Sequence, residues 1–132
     1  MILLRLDTEP VPKGRAKTIM RGGRVWSFTP KHTKDAEAII RALVQEQISN
    51  IYPQYAPLSL TVTFYRTKLP HILKSETIPV RKPDLDNYIK TVLDALSGIA
   101  FPDDAQISTI IARKRWSMDG GYITIELAED TL

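Results

Sequence analysis

Between residues 81 and 104 the chain collects side chains suited to phosphate chemistry. Arg81-Lys82-Pro83-Asp84-Leu85-Asp86-Asn87 is followed by Lys90, Asp94 and the pair Asp103-Asp104. Hard cations such as Mg²⁺ are held by one or two carboxylates, waters and substrate phosphate oxygens. A carboxylate-held Mg²⁺ lowers the pKa of a bound water and neutralises the oxygens of a phosphodiester under attack. A lysine beside the ion stabilises charge that builds in the transition state, and Lys90 lies one turn from Asp86. Ordinary helix chemistry accounts for part of the same set. Asp84 reads as an N-cap. Asp86 with Lys90, and Lys90 with Asp94, read as i, i+4 surface pairs worth roughly 0.2–0.5 kcal/mol each. Asp103-Asp104 after Pro102 reads as a turn. A cap and a turn need one Asp each, so the acids exceed that requirement. If the two groups meet in space, their repulsion calls for a cation between them.

The elements that must position these residues follow from periodicity. Alternation of Ile2, Leu4 and Leu6 predicts a strand over 1–7. Pro10-Val11-Pro12-Lys13-Gly14-Arg15 breaks it into a loop. Lys17–Met20 and Arg24–Phe28 flank Gly22-Gly23, which predicts a hairpin arm, basic and exposed by its composition. A helix is expected over 33–48, with Thr33 as N-cap and Ala36, Ile39, Ile40 and Leu43 on its buried face. Leu58, Leu60, Val62 and Phe64 alternate with polar residues and predict a strand. Residues 67–83 form a long connection of the kind that is usually functional or disordered. A second helix starts at Asp84, buries Ile89, Val92, Leu93 and Leu96, and stops at Gly98. Strands over about 106–116 and 122–127 complete the order. The reading is α/β of the α+β type: a single small domain over residues 1–132 with one mixed sheet, two main helices and a basic hairpin arm.

Composition sets the outer limits. The chain has 132 residues, a formal charge of +3, 43% hydrophobic and 25% charged residues, and no cysteine. That excludes a disulfide framework, a thiolate nucleophile and Cys-ligated zinc. Two histidines, His32 and His71, leave few ligands for a His-based metal site. Oxygen ligands and hence Mg²⁺, Mn²⁺ or Ca²⁺ are the metal chemistry left. No stretch is long enough for a membrane span, and the N-terminus lacks the pattern of a secretory signal, so a cytoplasmic protein is expected. The charge is uneven. Residues 1–34 hold eight Lys or Arg against two acids, whereas 91–132 hold three against seven. Phosphate binding by the basic arm and a merely solvated face are both compatible with that gradient.

The string Arg81-Lys82-Pro83-Asp84-Leu85-Asp86-Asn87, with Lys90, Asp94-Ala95-Leu96 and Asp103-Asp104-Ala105-Gln106, closely resembles the signature of the RusA family of Holliday junction resolvases. The resemblance extends more loosely to Pro12-Lys13-Gly14-Arg15 and to Arg24–Pro30. It implies a small homodimeric endonuclease of bacterial or phage origin. Such an enzyme resolves four-way DNA junctions by paired symmetric nicks in recombination and repair, and requires Mg²⁺, with Mn²⁺ as a possible substitute. It maps the acidic site onto Asp84, Asp86 and Asp104, with Asp103 as an additional metal ligand, and the required lysine onto Lys90. Asp94 is then structural or supporting. DNA contacts are assigned by charge and exposure to Lys13, Arg15, Lys17, Arg21, Arg24, Arg81 and Lys82.

Other readings stay open on the sequence alone. The same acids would serve a nuclease acting on flaps, forks or RNA-containing duplexes. A non-catalytic, structure-selective DNA-binding protein would use them structurally. Arg113-Lys114-Arg115 fits either DNA contact or the charge guard of an edge strand. Trp26, Phe28 and Trp116 fit either stacking on unpaired bases or packing in a core or dimer interface. His71 is expected to have no role.

Overall fold

A computed structural model describes residues 1–132. Six strands and two helices follow in the order β1 Ile2–Leu6, β2 Lys17–Arg21, β3 Arg24–Phe28, α1 Lys31–Gln47, β4 Leu58–Thr67, α2 Leu85–Leu96, β5 Ile107–Ser117 and β6 Tyr122–Glu129. A single 3₁₀ turn, Asp104–Gln106, precedes β5. Four strands form a mixed sheet in the order β1-β6-β4-β5, with β4 and β5 parallel and the other pairs antiparallel. The hairpin β2–β3 forms a separate two-stranded sheet. This is the small α+β domain that the periodicity predicts.

One face of the sheet carries the core. Leu4 and Leu6 of β1, Leu58, Leu60, Val62 and Phe64 of β4, and Ile123, Ile125 and Leu127 of β6 are all buried. Tyr88, Val92, Ala95 and Leu96 of α2 and Ile40 and Val44 of α1 pack on the same cluster. The period of two in the strands sends Ser59, Thr61, Thr63 and Tyr65 to the opposite face. There Tyr65 stacks on Tyr122 with ring centroids 4.1 Å apart.

Both helices depart in detail from their sequence patterns. α1 starts at Lys31, behind Pro30, rather than at Thr33. Thr33 is not its cap: this buried hydroxyl accepts the Gly14 N–H at 2.9 Å. Proline at the cap explains the earlier start, since its fixed φ suits a helix entry. Ile39 is largely exposed and Val44 takes its expected place in the core. In α2 the buried face is rotated to include Tyr88 and Ala95, while Ile89 and Leu93 lie at its margin. Tyr88 wins because its ring stacks on Phe64, centroids 5.2 Å apart.

The connection 67–83 is threaded by turns and side-chain bonds rather than left loose. Lys68 Nζ donates to the Glu76 carbonyl at 2.8 Å, and Arg81 Nε donates to Glu76 Oε1 at 3.1 Å.

Phe64 is buried against Tyr88 near the start of α2, so Phe64→Ala removes both its burial and the Tyr88 stack. We expect it to lower the unfolding free energy by about 3–5 kcal/mol in urea denaturation. A loss below about 1 kcal/mol would contradict the placement of this core.

Candidate nuclease site

The parallel pairing of β4 and β5 decides where the acids lie. A parallel connection must return the chain along the sheet, and α2 is that return. Asp84 is the residue preceding α2 and Asp86 is in its first turn. Asp94 lies in its last turn. At 1.5 Å per residue, Asp84 and Asp94 are separated by about 15 Å. The Asp103-Asp104 pair follows the helix and enters β5 from the same end as Asp94. The far end of β5 returns to the helix start, where Lys114 Nζ donates to the Pro83 carbonyl at 3.1 Å. The acids therefore form two groups at opposite ends of α2.

The first group is Asp84 with Asp86. Asp84 occupies the N-cap position but makes no capping hydrogen bond. Its carboxylate instead accepts from Lys82 Nζ at 3.0 Å on the surface. Asp86 and Lys90 are exposed on the helix, and neither the Asp86–Lys90 nor the Lys90–Asp94 ion pair expected from spacing forms. The Lys90 ammonium thus has no carboxylate partner. Helix capping and surface pairing leave Asp86 and Lys90 unexplained.

The second group is Asp104 with Asp103 and Asp94. Asp103 is a working cap: its carboxylate accepts the Ala105 N–H at 3.0 Å, and Gln106 Oε1 accepts the Asp103 N–H at 3.2 Å. Gln106 Nε2 also donates to the carbonyls of Pro53 and Ala56 at 2.9 and 3.1 Å, locking the turn to the 53–56 segment. Asp104 is left free by this arrangement. Partial desolvation of its exposed carboxyl, the adjoining Asp103 carboxyl, and the charges of Asp103 and Asp94 all push its pKa above the ordinary aspartate value.

Several residues hold the first group without being apparent in the sequence pattern. Lys114 has the parity of the sheet's covered face, opposite Phe64 in the register. Its ammonium donates to the Arg81 and Pro83 carbonyls at 3.1 Å each, fixing the segment that leads into Asp84. A lysine of inward parity at a strand end was the available signal, since such a charge needs partners. Glu9 accepts from both the N–H and the hydroxyl of Thr67, at 2.9 and 2.7 Å, tying the 7–15 loop to the end of β4.

The basic residues divide by role. Lys13 turns inward: its ammonium meets Glu37 at 2.7 Å and Asp94 at 2.9 Å, and its N–H donates to the Asn87 carbonyl at 2.9 Å. Burial pulls its pKa down, but the two carboxylates outweigh this and hold it above the ordinary lysine value. Gly14 follows in close contact with the start of α1, where a Cβ would lie 2.9 Å from Thr33 Oγ1. Lys17, Arg21 and Arg24 project from the exposed hairpin, and Arg15 lies at its approach. Arg81 bonds Glu76, and Lys82 bonds Asp84. Arg113 is exposed, Arg115 donates to the Lys114 carbonyl, and Trp116 is half-buried under Arg66.

No three His, Asp or Glu side chains are placed together to hold a metal ion. The donors are carboxylate oxygens, the right kind for Mg²⁺. They are not assembled into one cluster. No helix is long and apolar enough to cross a membrane.

The family model described as endodeoxyribonuclease RusA matches residues 7–128 of the chain. The chain is also similar to a Bacillus subtilis (strain 168) protein described as uncharacterized protein YqaN. The two are 30% identical over 118 residues, covering 83% of each.

Two stability measurements check this geometry. Lys13→Met should lower the unfolding free energy at pH 7 by about 1–3 kcal/mol, the range of charge-assisted hydrogen bonds. Because the folded-state pKa of Lys13 is raised, that contribution is complete below the unfolded lysine value of about 10.4 and is lost as pH rises through the folded value. Wild type and variant should therefore converge in strongly alkaline solution. Asp104→Asn should do the opposite at pH 7, raising stability by a few tenths of a kcal/mol, because it removes one of three crowded like charges.

Proposed function

The chain belongs to the RusA endodeoxyribonuclease family, and from that premise we propose that it is a Mg²⁺-dependent homodimer that resolves four-way DNA junctions. The observation that carries this reading is the division of the acids between the two ends of α2. One protomer offers two half-sites. Two copies related by a two-fold axis, with their α2 helices antiparallel, would bring the Asp84–Asp86 end of each against the Asp104 end of the other. That symmetry yields two sites and matches the symmetry of a four-way junction, where paired nicks fall on opposed strands.

In this dimer Asp84, Asp86 and the partner's Asp104 would hold the ion, with Mn²⁺ as a substitute for Mg²⁺. The bound ion would supply an activated water and neutralise phosphate charge. Asp103 keeps the turn in place, so that Asp104 is presented rather than spent on capping. Lys90 sets an ammonium one turn beyond Asp86, where it offsets negative charge on the phosphate being cut. Arg81 and Lys82 flank the acids. Arg15, Lys17, Arg21 and Arg24 extend a positive surface to the neighbouring backbone. Lys13 supports that surface from beneath by pinning the loop to both helices. The function belongs to the bacterial or phage cytoplasm, in recombination and repair.

A nuclease for flaps or forks would use the same residues, and substrate comparison separates the two. The non-catalytic alternative is weakened because capping and ion pairing account for Asp103 and Asp94, but not for Asp86 or Asp104.

An end-labelled synthetic four-way junction tests the proposal. Wild type should nick it symmetrically near the branch point with Mg²⁺ and not without it. Asp86→Asn should lower nicking by on the order of a hundredfold or more. Junction binding should be retained or tightened, because the substitution removes negative charge facing phosphate. Tight binding with no cleavage in Mg²⁺ or Mn²⁺ would reject the catalytic reading.

A further inference from the structure

The β2–β3 hairpin is a two-stranded sheet on its own, turned at Gly22 and Gly23, both with positive φ. Every one of its strand residues is exposed. Isolated two-stranded hairpins are marginally stable in water, and apolar side chains on them normally seek cover. Here Met20, Val25 and Trp26 are 75%, 65% and 53% exposed.

The register shows how the chemistry is sorted. Lys17 pairs with Phe28, Ile19 with Trp26, and Arg21 with Arg24. Directly opposed residues share a face, so these six residues form one face of the ribbon. Thr18 with Ser27, and Met20 with Val25, form the other. All three cations of the strands thus lie on the face that carries both aromatic rings, and the reverse face has no charge. A protein core would not be matched by that mixture, whereas a nucleic acid with an exposed base would. Phosphates meet the cations, and a base meets the ring.

We propose that this face grips the branch point itself, with Trp26 stacked on a base unstacked there and with Arg21 and Arg24 on the flanking phosphates. The inference rests on the junction-resolving function above and adds to it the residue that distinguishes branched from linear DNA. Trp26 lies in the middle of the face, opposite Ile19, with Phe28 two residues along the same strand. Linear duplex has no base to offer it, so the cations alone engage duplex.

The test uses the full chain carrying Asp86→Asn, so that DNA is bound and not cut. A four-way junction, a linear duplex and a single strand each carry 2-aminopurine, placed in the junction at the branch point. Adding Trp26→Ala should weaken junction binding by about tenfold, the scale of one base stack. Duplex affinity should stay within about twofold, and the protein-dependent change in 2-aminopurine fluorescence should disappear. Trp26→Phe should keep most of both, which separates stacking from misfolding. Unchanged junction-to-duplex selectivity and unchanged fluorescence in Trp26→Ala would overturn the proposal. So would a change in sedimentation that marks the face as a contact between protein copies. A protein that shows no junction preference at all would remove the functional premise. Stacking would then be sustained by a Trp26-dependent signal on the single strand, and overturned by its absence.

Discussion

The parallel alignment of β4 with β5 governs the rest of the molecule. Parallel neighbours cannot be joined by a tight turn, so the chain must cross back over the sheet, and α2 does so while burying Tyr88, Val92, Ala95 and Leu96. Acids at the start of that helix and acids after its end are thereby held a helix length apart. Folding and chemistry make opposite demands on this segment. The core needs α2 fully extended along the sheet, whereas a cation needs its carboxylates together. In the proposed dimer a second copy would reconcile them, because antiparallel helices place unlike ends side by side.

Other contacts keep each group of acids in position. Lys114 grips the carbonyls of Arg81 and Pro83 from the sheet, and Glu76 holds Arg81 from the 67–83 connection. Gln106 anchors the turn that carries Asp104 to the carbonyls of Pro53 and Ala56. Lys13 bridges Glu37 of α1 and Asp94 of α2, and so joins the two helices near their exposed side. The crowding of Asp104 by Asp103 and Asp94 is a cost that packing does not require. Such a cost is characteristic of residues retained for function at the expense of stability.

Most of the fold was legible because its signals are local. Alternation in Leu58–Phe64, the Gly22-Gly23 turn and the Asp84-to-Gly98 helix each depend on a few adjacent residues. The signature from Arg81 to Gln106 was legible for the same reason and led to the family. Boundaries and rotations were not, because they depend on distant partners. The α1 start moved to Lys31 because Pro30 and Gly14 fix it, and the face of α2 turned because Phe64 receives Tyr88. Spacing alone paired Lys90 with its helical neighbours and left Lys13 facing outward. In the folded chain Asp94 takes Lys13 instead, which frees Lys90. The separation of Asp84 from Asp104 was equally hidden, since it follows from the direction of β5 relative to β4.

A site shared between two copies is tested by mixing two inactive proteins. Asp86→Asn and Asp104→Asn are each expected to be unable to nick a four-way junction. A mixed dimer of the two would contain one site with both defects and one site with none. Refolding them together should restore Mg²⁺-dependent nicking, limited to one strand per binding event. If the mixture stays as inactive as either protein alone, although sedimentation and differential tagging show that mixed dimers have formed, the acids act within one chain and no shared site exists.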